Sequence, residues 1–366
     1  VSTTLAPRPR QVAAGRPFIV TSPAPAGAWA EVLASAPRAL PTQTPEWLDC
    51  VCAVGGYRNA SRLYETADGR RLVLPLVRRA VLPGVLWTES SGPTGWGPAG
   101  LLGEGGEVRP DDARMVFADL ADRHALRVSV RPDPATGPSW DAARPRRALR
   151  RPLMAQTLSL AGGFDEVWRK RFRGDTRTRV RRAERAGVVV QRDDTGRLLP
   201  VFQELYARSV DRWARREGVP LAFARRRAAR REPTRKLPTV AAVCGPRCRT
   251  YVARVDGRPV AAIIVLFGPA VAAYWRGAMD EDAAGRSYAN YLLHRTAIED
   301  AAAAGCTAYH MGDSAPGSPL ALFKSRFGAV EEHYASYRLE PVPITALTDR
   351  TRRRVSAALR RRRGRE

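Results

Sequence analysis

Hydrophobic positions in the second half of the chain fall into short blocks of two different periods. The longest apolar run, residues 260–275, is interrupted at Gly268-Pro269, so it predicts two strands joined by a turn. The run is also too short to cross a bilayer. Asp256-Gly257 stands just before it, a pair that suits a type I′ turn because both positions tolerate positive φ. Residues 250–255, 260–267 and 271–277 therefore predict a strand meander. Residues 288–304 carry helical spacing with Gly305 as a stop, 308–311 predict a strand, 320–327 a short helix and 333–339 a last strand. Upstream, 156–160 predict a strand, 164–187 a helix ending at Gly187, and 188–191 another strand. Residues 200–217 predict an amphipathic helix through Val201, Leu205, Val210 and Trp213, and 222–231 a further basic helix or loop. This order predicts an α/β fold with a mixed central sheet flanked by helices on both faces.

The first half is shorter in pattern. Thr44 can cap a helix that has Pro45 at its first position. Residues 61–65 and 71–77 predict two strands joined at Asp68-Gly69. Residues 90–106, rich in Gly and Pro around Trp96, predict a long loop able to approach a ligand. A helix over 111–124 and a strand over 126–130 follow, and 132–151 read as an irregular, basic linker. The expected organisation is a poorly ordered segment over 1–28, a first domain over 29–150, a second over 151–345, and a basic tail over 346–366.

Composition adds one feature. The chain has 366 residues, 44% hydrophobic and 27% charged, which is ordinary for a globular protein, but its formal charge is +25. Lysine occurs only at Lys170, Lys236 and Lys324. A coding preference explains arginine in place of lysine, but not 61 basic residues against 36 acidic ones. The excess points to a polyanionic partner, nucleic acid first and phosphorylated small molecules second. The five cysteines, at spacings C-x-C and C-x-x-x-C, lack zinc-ligand spacing, so no metal is expected. Residues 1–30 contain no uninterrupted apolar stretch of signal-peptide type, and a soluble cytoplasmic protein with reduced thiols is expected. A Ser/His/Asp triad, paired glycosidase carboxylates and a Walker loop find no support.

Four segments carry candidate chemistry: Tyr274-Trp275-Arg276-Gly277-Ala278, Tyr288-Ala289-Asn290-Tyr291-Leu292-Leu293-His294, Tyr309-His310-Met311-Gly312-Asp313-Ser314, and Leu322-Phe323-Lys324-Ser325-Arg326-Phe327-Gly328. Together they resemble the Fem family of FemA/FemB/FemX-type aminoacyltransferases, within the GNAT-like superfamily. The most specific match is F-K-x-x-F-G at 323–328. The segment 179–188 is similar to the family's helix-to-strand passage, and Gln43–Trp47 and Trp96-Gly97-Pro98 are weaker matches. The resemblance implies two GNAT-like domains and transfer of an aminoacyl group from the ester of aminoacyl-tRNA, the co-substrate, to an amine, with no metal or other cofactor. Peptidoglycan precursors are family acceptors, and amine-bearing small natural products serve some relatives. It marks Phe323, Trp275, Arg276, Tyr288, Asn290 and Ser314 as substrate contacts.

The residues support this independently. Aminolysis of an ester needs a neutral amine, good placement and relief of charge on the carbonyl oxygen. Lys324, a compact point charge in a chain that otherwise uses arginine, suits that relief. Asp313, just past a strand, can orient an attacking ammonium or accept its proton, or else cap a turn or pair with an arginine. His310 is a weaker candidate base. Acyl-CoA-dependent relatives carry a glycine-rich pyrophosphate loop where this chain has Ala283-Ala284-Gly285-Arg286-Ser287. One glycine there favours a donor other than coenzyme A, although Arg286 at a helix N-terminus can still meet a phosphate. The basic helix over 164–187 places Arg173, Arg177 and Arg181 on one stripe, a candidate contact for tRNA or another phosphate. Coenzyme A-dependent acylation and non-catalytic nucleic-acid binding remain the alternatives.

Overall fold

A computed structural model describes residues 8–10, 18–122 and 125–341. The first half runs β1 (Arg8–Arg10), β2 (Phe18–Thr21), α1 (Ala26–Ser35), α2 (Pro45–Gly55), β3 (Arg58–Asn59), β4 (Arg62–Thr66), β5 (Arg71–Leu74), β6 (Val77–Leu82), β7 (Leu86–Ser91), β8 (Leu102–Gly103), α3 (Pro110–Ala121), β9 (Arg127–Val130) and α4 (Gly137–Ala143). The second runs β10 (Leu149–Ser159), α5 (Gly163–Glu166), α6 (Gly174–Arg185), β11 (Val189–Asp193), α7 (Leu199–Glu217), α8 (Leu221–Arg231), α9 (Lys236–Cys244), β12 (Cys248–Val255), β13 (Arg258–Phe267), β14 (Val271–Met279), α10 (Glu281–Ser287), α11 (Ala289–Ala303), β15 (Ala308–Asp313), α12 (Pro319–Ser325) and β16 (Val330–Leu339).

The local signals act as expected in several places. Asp256 and Gly257 both take positive φ, 48° and 74°, and turn β12 into β13. Thr44 caps α2 by accepting from the Trp47 amide at 3.2 Å. Gly69, at φ 81°, closes the β4–β5 hairpin.

Among the described residues, β1, β2, β4, β5 and β8 form one antiparallel sheet. A second sheet of eleven strands, ordered β11-β12-β13-β14-β15-β10-β16-β9-β7-β6-β3, crosses both halves. Each half contributes one parallel pair, β14–β15 and β7–β9, each reached through a crossover helix, α11 and α3. β16 joins the halves: Val330–Arg338 pair with β10, and Tyr337–Leu339 pair with β9. One apolar core lies under α6 and α11, and another under α3 and α4. A third is shared, with Trp47, Val51 and Trp96 from the first half packed with Phe202, Leu237 and Ile264 from the second.

Three expectations need correction. Residues 18–28 were expected to lack order, but β2 pairs along its length with β4, buries Phe18, and leads into α1. The remaining expectations for the ends, residues 1–7, 11–17 and 346–366, lie outside the described residues, as do 123–124 at the end of the helix expected over 111–124. Residues 132–151 are not a linker. They hold α4 and the start of β10, and Trp140 is fully buried, edge-on to Phe117 at 5.1 Å and stacked on Tyr337 at 6.1 Å. The helix over 164–187 is broken: a π-helical turn over Val167–Arg171 ends at Phe172, whose ψ of 130° is extended. Phe172 turns into the core against Phe327, 5.1 Å away, and α6 starts afresh. α6 is also amphipathic, because Thr176, Val180 and Ala183 form a buried stripe of small residues. Helix α9 had no sequence expectation.

Two buried polar clusters stand out. The Arg62 side chain, 1% exposed, bonds Glu89 Oε2 at 2.7 Å and Asp119, to which Tyr64 OH also donates at 3.0 Å. Asp133 starts a short helical turn by accepting from the Ala135 amide at 3.0 Å. Burial, with Glu332 nearby, raises its pKa from 3.8 to about 6. Its ionisation therefore opposes folding: the protonated form's advantage is complete below pH 3.8 and lost as pH rises through 6. Asp133→Asn keeps the cap and removes the charge. Its stabilisation should be about 1–3 kcal/mol at pH 8 and near zero at pH 4, measured by urea midpoints at the two pH values.

Candidate active site

β14 and β15 pair only over Val271–Ala273 and Ala308–His310. Beyond that point β14 carries a bulge: Val265 faces Tyr274 and Ile264 faces Arg276, leaving Trp275 as the extra residue. The strands part there, and two cavities open, of about 270 and 430 Å³. Lys324, Tyr274 and Leu320 line both.

Lys324 is set there by α12. Ser318 caps that helix by accepting from the Ala321 amide, and Gln156 Nε2 donates to the Ala321 carbonyl at 3.0 Å. The ordinary-looking helix thereby presents Ala321 and Lys324 inward, and Lys324 is 1% exposed. Its Nζ donates to the carbonyls of Gly312 and Asp313, both at 2.8 Å. Gly312 has φ 72°, a conformation glycine adopts without strain. Burial pushes the Lys324 pKa down to about 8, against the pull of Asp313. The motif's last glycine, Gly328, is required for packing: it has φ 83°, and a Cβ would lie 2.6 Å from the Arg171 carbonyl oxygen.

Of the readings open for Asp313, the geometry holds the arginine pair. Its Oδ2 accepts from Arg131 at 2.5 Å and its Oδ1 from Tyr334 OH at 2.9 Å. His310 lines the smaller cavity, accepts from the Gly312 amide through Nδ1 at 3.2 Å, and is held near pKa 4 by burial. His294 lines the larger cavity edge-on to Tyr274, ring centres 4.9 Å apart, and burial lowers its pKa to about 3. Tyr274 is pushed up to about 12 by the same cause. Both histidines are therefore neutral at physiological pH.

A second cluster walls the smaller cavity. The loop over 92–98 reaches it through Gly95, Gly97 and Pro98, and Trp96 packs edge-on to Trp47 and tilted against Trp275. Fully buried Lys236 sits 4.3 Å from the Trp96 ring and donates to Gly95 O at 2.8 Å, and Glu232 balances its charge at 3.1 Å. Arg276 borders the cavity, but its guanidinium is engaged by Glu232, Trp275 O and Gly95 O.

The remaining expected residues divide. Trp275 lines the smaller cavity, and Phe323 and Asn290 the larger, where Asn290 Nδ2 lies 2.8 Å from Met279 Sδ. Tyr288 and Ser314 line neither. Tyr288, at φ 55°, forms the corner between α10 and α11, and the Ser314 amide bonds Met154 O at 2.9 Å. The arginine stripe also dissolves. Arg173 and Arg181 are exposed, but Arg177 turns inward to the carbonyls of Trp168, Arg169 and Phe172, closing the broken helix. Arg286 stands in the last turn of α10, two residues before Tyr288, the N-cap of α11, and the place expected for a loop is helical over Glu281–Ser287. Exposed arginines gather elsewhere: a cleft of about 820 Å³ between the first half and α7–α8 is lined by Arg79, Arg227, Arg230 and Arg231, with Tyr206 and Trp213. Sequence reading passed over Tyr274 and His294, although both lie inside the quoted segments. Arg131 and Tyr334 had no local signal, being brought in by β9 and β16.

Residues 170–318 match the family model described as the acetyltransferase (GNAT) domain. The solved structure of FemX superposes with a TM-score of 0.61 at 13% identity, covering 87% of this chain and 96% of that one. The C-terminal domain of a putative lysylphosphatidylglycerol synthetase from Agrobacterium fabrum gives 0.48 at 13% identity, over 89% of this chain and 95% of that one. A tandem GNAT protein from the clavulanic acid biosynthesis pathway gives 0.48 at 15% identity, over 88% and 98%. No curated protein matches in sequence. The chain thus shares the fold of FemX, with a GNAT-like domain in its second half.

Proposed function

We propose that this protein is an aminoacyltransferase that moves an amino acid from aminoacyl-tRNA onto an amine of a small-molecule natural product or a peptidoglycan precursor, forming an amide in the cytoplasm. The fold is that of GNAT-type acyltransferases. The observation that carries the finer reading is the placement of Lys324 in the wall shared by two cavities. Two reactants held in adjoining spaces meet at one cationic group, which is the arrangement that aminolysis needs. Two features favour tRNA over coenzyme A as donor. The position of the pyrophosphate loop is occupied by helix α10. The cleft beside α8 offers an RNA backbone four exposed arginines, Arg79, Arg227, Arg230 and Arg231. Among the described residues no helix is long and apolar enough to cross a membrane.

The test is transfer of a labelled amino acid from charged tRNA to candidate amines. Ribonuclease-sensitive amide formation is the expected result, with binding that weakens steeply as salt rises. Acylation supported by acetyl-CoA and indifferent to ribonuclease would instead establish a coenzyme A-dependent N-acyltransferase. RNA binding without transfer from either donor would leave a nucleic-acid-binding protein on this scaffold.

A further inference from the structure

We infer that Lys324 is the proton shuttle of the transfer, receiving a proton from the attacking amine on the lone pair of a neutral side chain. This rests on the acyl-transfer reading above. A neutral lysine has two N–H groups and one lone pair, whereas an ammonium has three N–H groups and no lone pair. Nζ has two protein acceptors, the Gly312 and Asp313 carbonyls. They satisfy the neutral form completely and leave the lone pair for the cavities that Lys324 borders. A lysine meant to act only as a fixed cation would be expected beside a free carboxylate. Here the nearest one, on Asp313, is already held by Arg131 and Tyr334.

Of the charged groups around these cavities, Arg231 lines the smaller, and Arg212 and Arg216, both paired with Glu281, line the larger. β15 presents Asp313, so paired, and neutral His310; α11 presents neutral His294; β14 presents Tyr274 and the engaged Arg276. Burial favours the neutral amine, and Asp313 alone opposes it. In the reaction, the neutral acceptor amine attacks the ester carbonyl and the C–N bond forms. The ammonium so created passes one proton to Nζ. The lysine ammonium then returns that proton to the departing ester oxygen as the C–O bond breaks, leaving an amide, an alcohol and a neutral lysine. No other reactant is needed.

The chain contains only three lysines, which makes the test direct. In protein labelled with ε-¹³C lysine, Lys170→Arg and Lys236→Arg assign the signals. Lys324 should titrate near pH 8. Titration at the ordinary lysine value, about 10.4, would overturn the shuttle without touching the acyl-transfer reading. In the transfer assay, Lys324→Arg, a cation that cannot lose its proton, should be at least about 100-fold slower at every pH. Lys324→Cys alkylated to the aminoethyl derivative, a weaker base, should regain activity with the acid limb of its pH–rate profile moved to lower pH. Wild-type speed from Lys324→Arg, or an unmoved limb in the alkylated protein, would reduce Lys324 to a charge and refute the shuttle. A Lys324 that titrates near 8 in a protein with no transfer from any donor would refute the acyl-transfer reading, and the shuttle with it.

Discussion

Transfer by a Lys324→Met protein should be slower by about two to four orders of magnitude, the range by which a positioned acid–base group contributes. The methionine fills a similar volume in a site where the lysine is 1% exposed, so the cavities keep their shape while the only side-chain nitrogen shared by them is lost. Single-turnover rates at saturating donor and acceptor separate this chemical loss from weaker binding. Circular dichroism of the two proteins should coincide. A rate within tenfold of the parent would move the chemistry away from the junction of the two cavities.

Arg62→Met should destabilise the protein by about 3–5 kcal/mol, because breaking a buried pair from one side leaves uncompensated charge. The Arg62 side chain is 1% exposed and meets Glu89 and Asp119, whose side chains are fully buried. Glu89 keeps Arg78 at 2.8 Å and Asp119 keeps the Tyr64 hydroxyl at 3.0 Å, and both carboxylates lose the Arg62 charge. The measurement is the urea midpoint at pH 7, and the control is Arg62→Met with Asp119→Asn. Neutralising Asp119 should recover part of the loss, since Glu89, paired with Arg78, is then the one carboxylate left of the two that Arg62 met. Equal stability for the single and double variants would mean that packing, not charge, sets the effect.

The meander and Lys324 were legible because their signals are local. Asp256-Gly257 turns the chain whatever surrounds it, and F-K-x-x-F-G lies on one short helix and the turn after it. The partners of that lysine were not legible. Arg131 reaches Asp313 from the other half of the chain, and Tyr334 through the pairing of β16 with β10, neither of which leaves a mark at short range. The basic helix misled for a physical reason. Charge counts show where arginines are, not which way they turn, and Arg177 satisfies carbonyls released by a break that Phe172 makes on entering the core. Trp140 stayed hidden in a basic, proline-punctuated stretch because one large buried ring produces no periodicity.

The strand that runs from one half into the other limits how the molecule can move. β16 hydrogen-bonds to β10 along most of its length and to β9 at its end, so there is no break between the halves about which they could swing apart. A clamshell opening would have to unzip a ladder and expose the shared core around Trp47 and Trp275. The frame therefore stays closed, and motion at the smaller cavity is left to side chains and to loops such as 92–98, which reaches it through Gly95, Gly97 and Pro98. The timescale to look for is that of loop motion, nanoseconds to microseconds, rather than that of domain hinging.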